Sequence, residues 1–179
     1  KDVALRADRA ALMADGHLGY IMPVGGVAAY RGRVSVAGVG YDIACGNAAI
    51  RTNLTKADML AHRAAFADEI QSAISFGVGL NNQSADAPRA DDLFISDAWS
   101  IIPEKGGHRA SLLDKARNQL GTVGSGNHYV DVFADEQDRV WVGVHFGSRG
   151  FGHTIASTFI ALSVGLGWGE RTKEVEALL

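Results

Sequence analysis

The clearest hydrophobic pattern lies between Asn127 and Phe146. "NHYVDVFAD" and "RVWVGVHF" are two runs rich in valine and aromatic residues, separated by the polar "ADEQD". They predict a β-hairpin. Upstream, "VAAY" and "RVSVAGV" read as strands around a short turn at Arg31 and Gly32, and "NAAIRTNL" as a strand with Ala48, Ile50 and Thr52 on one face. A helix follows, opened by Thr55 as N-cap with Asp58 three residues on, a weaker form of the capping box. Its apolar positions Met59, Leu60, Ala64, Phe66, Ala67, Ile70 and Ile74 recur near helical spacing through "KADMLAHRAAFADEIQSAISF". Residues 77 to 92 are polar, with glycine, proline and asparagine, and predict a loop. A second helix is expected from Ala110 to Leu120. A third, apolar one is expected in "HTIASTFIALSVGLGWGER", loosened by Gly165, Gly167 and Gly169. Short strands alternate with longer helices, and no internal repeat or low-complexity segment interrupts them; the fold class expected is α+β, sheets with flanking helices.

Composition narrows the picture. The 179 residues suit one domain or part of a larger one, with 47% apolar residues to build a core. The net charge of -3 gives no global attraction to nucleic acid or an anionic membrane. An RNA partner would be held by a local patch of arginine and lysine. One cysteine excludes an internal disulfide and fits a reducing, cytoplasmic setting. The charged start "KDVALRADRAALMADGH" is not a signal peptide, and no apolar run reaches the roughly 18 residues of a membrane span. Glycine supplies 22 of the 179 residues, about an eighth against a usual ~7%. It clusters in "HLGYIMPVGGV", "GVGYDIACG", "GTVGSGNH" and "HFGSRGFGH", where tight turns or a close backbone approach to a ligand are expected.

Those clusters hold the candidate chemistry. Asp42 and the single cysteine, Cys45, stand at the glycine-rich exit of one strand; His128 stands at the entrance to another, and His145 ends "WVGVH". Sulfur, oxygen and nitrogen donors beside glycine-rich strand ends form a reasonable metal-ligand set, and their softness favours zinc. The alternative is that Cys45 is a small buried hydrophobe, since D-x-x-C is no established zinc pattern. The turns "GSGN" and "GSRG" can present backbone N–H groups to phosphate oxygens. Arg149 is either a bidentate phosphate clamp or a structural donor to a loop carbonyl. His62 and His108 read as solvent-facing, whereas His17 and His153 adjoin glycine-rich turns.

Four of these segments carry a resemblance. "DGHLGYIMPVGGVAAY", "GVGYDIACG", "GTVGSGNHYVDV" and "HFGSRGFGH", in this order and spacing, resemble successive signatures of the RtcB-type RNA ligases, from about Asp15 to Arg171. The resemblance implies an RtcB-like fold with a central metal site and an enzyme that acts in tRNA splicing and RNA repair. Such an enzyme joins RNA ends bearing a 2',3'-cyclic phosphate or 3'-phosphate to 5'-hydroxyl ends, with GTP and two manganese ions. By the same resemblance Cys45 bridges the two ions. Asp42 and His128 bind the first ion, and His145 binds the second. Asn127 contacts the guanylate phosphate. Asp131 stands where a glutamate near the nucleotide is expected, a departure that leaves its contact open. The resemblance favours manganese over zinc.

The resembled family also uses a further metal histidine and a guanylylated histidine in later segments, and none of the remaining histidines here, His17, His62, His108 and His153, lies in a matching motif. Residues 1–179 are therefore expected to be the N-terminal portion of a single catalytic domain, incomplete at its C-terminus and inactive alone. Two other function classes compete with the ligase: a metal-dependent phosphoesterase, which uses the same kinds of ligand, and a non-catalytic fragment that binds metal or RNA.

Overall fold

The computed structural model describes residues 2–19, 21–82 and 91–170. In chain order the elements are α1 (Asp2–Arg6), β1 (Arg9–His17), β2 (Val24–Ala29), β3 (Gly46–Thr55), α2 (Lys56–Ala61), α3 (Arg63–Ala73), α4 (Asp91–Phe94), α5 (His108–Gln119), β4 (Tyr129–Ala134), β5 (Arg139–Phe146) and α6 (Arg149–Ser163). The class is α+β, with two small antiparallel sheets and separate helices. The chain divides into two compact units: one is Ala44–His153, and the other combines the chain before Ala44 with that from Thr154 onward.

In the smaller unit, β1 and β2 form a two-stranded ribbon with Arg9 opposite Ala29 and Leu12 opposite Gly26, and a shift in register before His17. The sequence reading placed no strand at β1: alanine, leucine and methionine carry little strand propensity, and only the partner in β2 reveals the pairing. "RVSVAGV" was expected to be a strand and is not one. It is irregular and ends in a 3-10 turn over Ala37–Val39, because β2 pairs backwards with β1 instead of forwards. The portion of α6 in this unit buries Ala156, Thr158, Ile160 and Ala161. The helix stops at Ser163, so Gly165, Gly167 and Gly169 follow it instead of loosening it.

The larger unit is organised by a three-stranded sheet in the order β3-β5-β4, antiparallel throughout. The central strand β5 contains Val140, the bulkiest fully buried side chain among the described residues. Ile102, Leu112 and Val123 are the other buried apolar residues of this unit. Thr55 caps α2 with both bonds of the capping box: its hydroxyl accepts from the Asp58 amide at 3.2 Å and the Asp58 carboxylate accepts from the Thr55 amide at 2.9 Å. The long helix expected beyond it breaks at His62, whose φ of -121° and ψ of 19° leave the helical region, giving α2 and α3. The expected loop at 77–92 is irregular through Asn82, residues 83–90 lie outside the described residues, and Asp91 opens the short α4.

The β4–β5 hairpin turn is held by one carboxylate. Asp135 accepts from the Gln137 amide (3.0 Å), the Arg139 amide (3.0 Å) and guanidinium (2.7 Å), and the Trp141 indole (2.8 Å). Partial burial alone would raise its pKa. The hydrogen bonds from Trp141, Arg139 and Gln137 outweigh that and hold it well below the ordinary carboxylate value. A depressed folded pKa gives stability that is present above the unfolded value of about 3.9 and is lost as pH falls towards the folded one. Asp135→Asn is therefore expected to unfold at lower urea concentration than the parent at pH 7, with the gap narrowing below about pH 4. A gap that stays constant or widens down to pH 3 would contradict this.

Candidate metal and nucleotide site

Antiparallel pairing places the starts of β3 and β4 beside the end of β5. Gly46 pairs with Phe146, and His145 has Asn47 opposite it on one side and Tyr129 on the other. Cys45 immediately precedes β3, at the entrance of that strand instead of the expected exit of one, because "RVSVAGV" forms no strand; His128 immediately precedes β4, as expected. One end of the sheet thus gathers the thiol and both imidazoles, although 83 positions separate Cys45 from His128.

The geometry at that end is close. Cys45 Sγ lies 3.9 Å from His128 Nε2, and the His128 and His145 ring centroids are 5.4 Å apart. One ligand atom from each of Cys45, His128 and His145 falls within 4.8 Å of the others. Metal bonds of about 2.0–2.3 Å would put neighbouring tetrahedral ligands roughly 3.3–3.8 Å apart, and the 3.9 Å sulfur–nitrogen spacing lies just beyond the upper end of that range. The donor set, one thiol and two imidazoles, suits a borderline divalent ion. Cys45 is exposed and so is not the buried hydrophobe of the alternative reading, while both histidines are half-buried.

The remaining expected residues take distinct places. Asn127 donates from Nδ2 towards His145 Nε2 at 3.3 Å. Asp131 pairs with Gly143, two residues along β5 from His145, and so stands on the same sheet face in the next row. Asp42 is half-buried in the other unit and is not among the three residues of the cluster. His62 is exposed as expected; His108 is half-buried at the start of α5 instead of solvent-facing. His17 is bonded through Nδ1 to the Asp15 carbonyl at 2.8 Å, and His153 is exposed within α6. The sequence reading missed Asn47, whose Oδ1 lies 2.8 Å from His145 Nδ1. A strand position two residues from Cys45 was the only signal for it.

The loop that delivers His128 is pinned from outside. The Val123 amide donates to the Ser75 carbonyl and the Gly77 amide to the Gly124 carbonyl. Arg149 donates to the Thr122 hydroxyl (2.9 Å) and the Gly77 carbonyl (2.6 Å). Of the two roles open to Arg149, these bonds are those of the structural donor. Gly124 has φ +111°, and a Cβ there would come within 2.6 Å of both Arg149 Nη1 and His128 Nδ1. Gly124→Ala is expected to cost about 1–3 kcal/mol in urea unfolding and to displace the His128 imidazole resonances. A variant as stable as the parent with unmoved His128 signals would contradict this.

Fold and cluster define the class: an α+β chain that presents soft donors from the end of a three-stranded sheet. Comparison with known proteins makes it particular. The model of the family described as tRNA-splicing ligase RtcB matches residues 3–167, and the chain belongs to that family. It is 34% identical to the tRNA-splicing ligase RtcB of Archaeoglobus fulgidus over 83% of this chain and 39% of the relative. It is 33% identical to the RNA-splicing ligase RtcB of Escherichia coli K12 over 86% of this chain and 39% of the relative. It is 32% identical to the tRNA-splicing ligase RtcB of Thermococcus kodakarensis over 89% and 42%, respectively. The chain thus spans about two fifths of the length of these curated relatives. No helix among the described residues is long and apolar enough to cross a membrane.

Proposed function

We propose that this chain supplies the thiolate–imidazole part of the metal centre of a cytoplasmic RNA ligase. The enzyme joins a 2',3'-cyclic phosphate or 3'-phosphate end to a 5'-hydroxyl end, on tRNA halves or broken RNA, with manganese and GTP. The observation that carries this reading is the convergence of Cys45, His128 and His145 within 4.8 Å in a chain of the RtcB family.

A bound divalent ion neutralises charge on transferring phosphoryl groups and lowers the pKa of bound oxygens. The chain's own groups prepare the place. Cys45 binds as a thiolate and the two histidines as neutral imidazoles, so metal affinity falls as pH falls. Backbone N–H groups of the glycine turn at residues 124–127 take phosphate oxygens, and the Asn127 amide orients the guanylate phosphate. Asp131 contributes to the nucleotide side of the same sheet face. The assignment of Asp42 as a further ligand rests on the family resemblance alone, as do manganese, GTP and the RNA ends.

Two measurements test the reading. Manganese or zinc is expected to slow alkylation of Cys45 by iodoacetamide, and Cys45→Ser to remove most of the binding of either ion. Equal alkylation rates with and without metal would contradict the thiolate assignment. Residues 1–179 alone are expected to be inactive, whereas a longer polypeptide that joins them to the remaining segments of the relatives, given manganese, GTP and RNA fragments with 3'-phosphate and 5'-hydroxyl ends, is expected to join the fragments with consumption of GTP. Removal of the phosphate without use of GTP would identify a phosphoesterase instead.

A further inference from the structure

We propose that Asn47 is a positioning residue that fixes the tautomer and orientation of His145, so that Nε2 presents its lone pair to the metal centre formed with Cys45 and His128. The proposal rests on the metal reading above. It begins from register. Asn47 and His145 are direct partners across the β3–β5 ladder, so their side chains rise from the same face of the sheet at adjacent points. Tyr129 is the partner of His145 on the other side, with its ring centroid 5.8 Å from the imidazole. The imidazole is thus bracketed in the plane of the sheet, and it touches polar atoms at both nitrogens.

The two nitrogens meet groups of opposite character. Nδ1 lies 2.8 Å from Asn47 Oδ1, which can only accept, so Nδ1 carries the proton. Nε2 lies 3.3 Å from Asn127 Nδ2, which can only donate, so Nε2 carries the lone pair. Both contacts select the same neutral tautomer, the one that leaves Nε2 as the ligand atom. The Nε2 contact is long for a hydrogen bond, and a metal–nitrogen bond readily replaces it. The Nδ1 contact is short and survives ligation. A metal-bound histidine ordinarily gives its second N–H to a carboxylate, a carbonyl or water; here a side-chain amide oxygen takes that part without adding charge to the centre.

A purely structural role explains Asn47 less well. Asparagine is depleted in strands, and this one is an exposed residue of β3, where a β-branched residue would serve the ladder better. Its exposure also makes the position tolerant, so variants are expected to fold.

The test separates the residue's role from the metal reading. In the metal-free protein, long-range proton–nitrogen spectra of nitrogen-15-histidine-labelled protein, recorded at a pH where they show neutral imidazole, report the tautomer directly. The His145 signals are assigned by their loss in His145→Gln. The parent protein should show His145 as the Nδ1–H tautomer. Asn47→Leu should give a mixture of tautomers and weaken manganese and cobalt binding by about 10–100-fold. Asn47→Asp, which keeps the acceptor, should retain the tautomer and bind both ions at least as tightly as the parent. Urea unfolding of each variant shows that the fold is kept. A pure Nδ1–H tautomer persisting in Asn47→Leu, or metal affinity within twofold of the parent, would overturn the proposal. Failure of the parent protein to bind either ion would overturn the metal reading instead; the two failures are distinct because the tautomer is read without metal.

Discussion

Antiparallel pairing of β3 and β4 on either side of β5 decides where the candidate donors Cys45, His128 and His145 stand. Because strand pairing fixes neighbours residue by residue, setting Gly46 against Phe146 also sets Asn47 against His145 and brings Cys45 to the edge of the same cluster. Setting Tyr129 against His145 likewise brings in His128. A one-residue slip of either outer strand would turn its side chains to the opposite face and scatter the three donors. The buried Val140 in the central strand and the Asp135-centred turn at the far end of the hairpin guard against such a slip. The hydrophobic sheet, the turn and the donor cluster are thus parts of one mechanical arrangement.

The loops that complete the cluster carry local costs that this framework offsets. Ala44, directly before Cys45, has φ 65°, and Arg149 has φ 56°; the left-handed region costs an ordinary residue about 1–2 kcal/mol. Arg149 recovers part of its cost through the bonds to Thr122 and Gly77, which tie the strained corner to the loop delivering His128. Ala44 re-aims the chain just where Cys45 must leave the ladder. Strain of this kind gathers where a side chain has to be held in a set place, and here it flanks the thiol on one side and the imidazole loop on the other.

What the sequence made legible follows from how local each signal was. The hairpin could be read from its alternation and polar turn, and the capping box at Thr55 from two residues three apart, because short-range chemistry determines both. Strand β1 could not, since "RAALMADGH" has no strand signal of its own and becomes a strand only by pairing with β2. "RVSVAGV" failed in the opposite way: its pattern suits a strand, but no strand pairs with it among the described residues. The donors Cys45, His128 and His145 were visible as residue types beside glycines, yet their meeting depends on register across 100 positions (145 minus 45). Asn47 was invisible for the same reason. Arg149 was left between two roles because only the positions of Gly77 and Thr122 distinguish them.

The central proposal is that the Cys45 thiolate and the His128 and His145 imidazoles belong to one metal centre at the end of this sheet. X-ray absorption at the metal edge of the manganese-loaded protein tests it most directly, because sulfur and nitrogen scatter differently in the first shell. The account predicts sulfur and imidazole nitrogen in the first shell, with the sulfur lost in Cys45→Ser and the imidazole contribution reduced in His145→Gln. A first shell of oxygen alone, unchanged by either substitution, would contradict it.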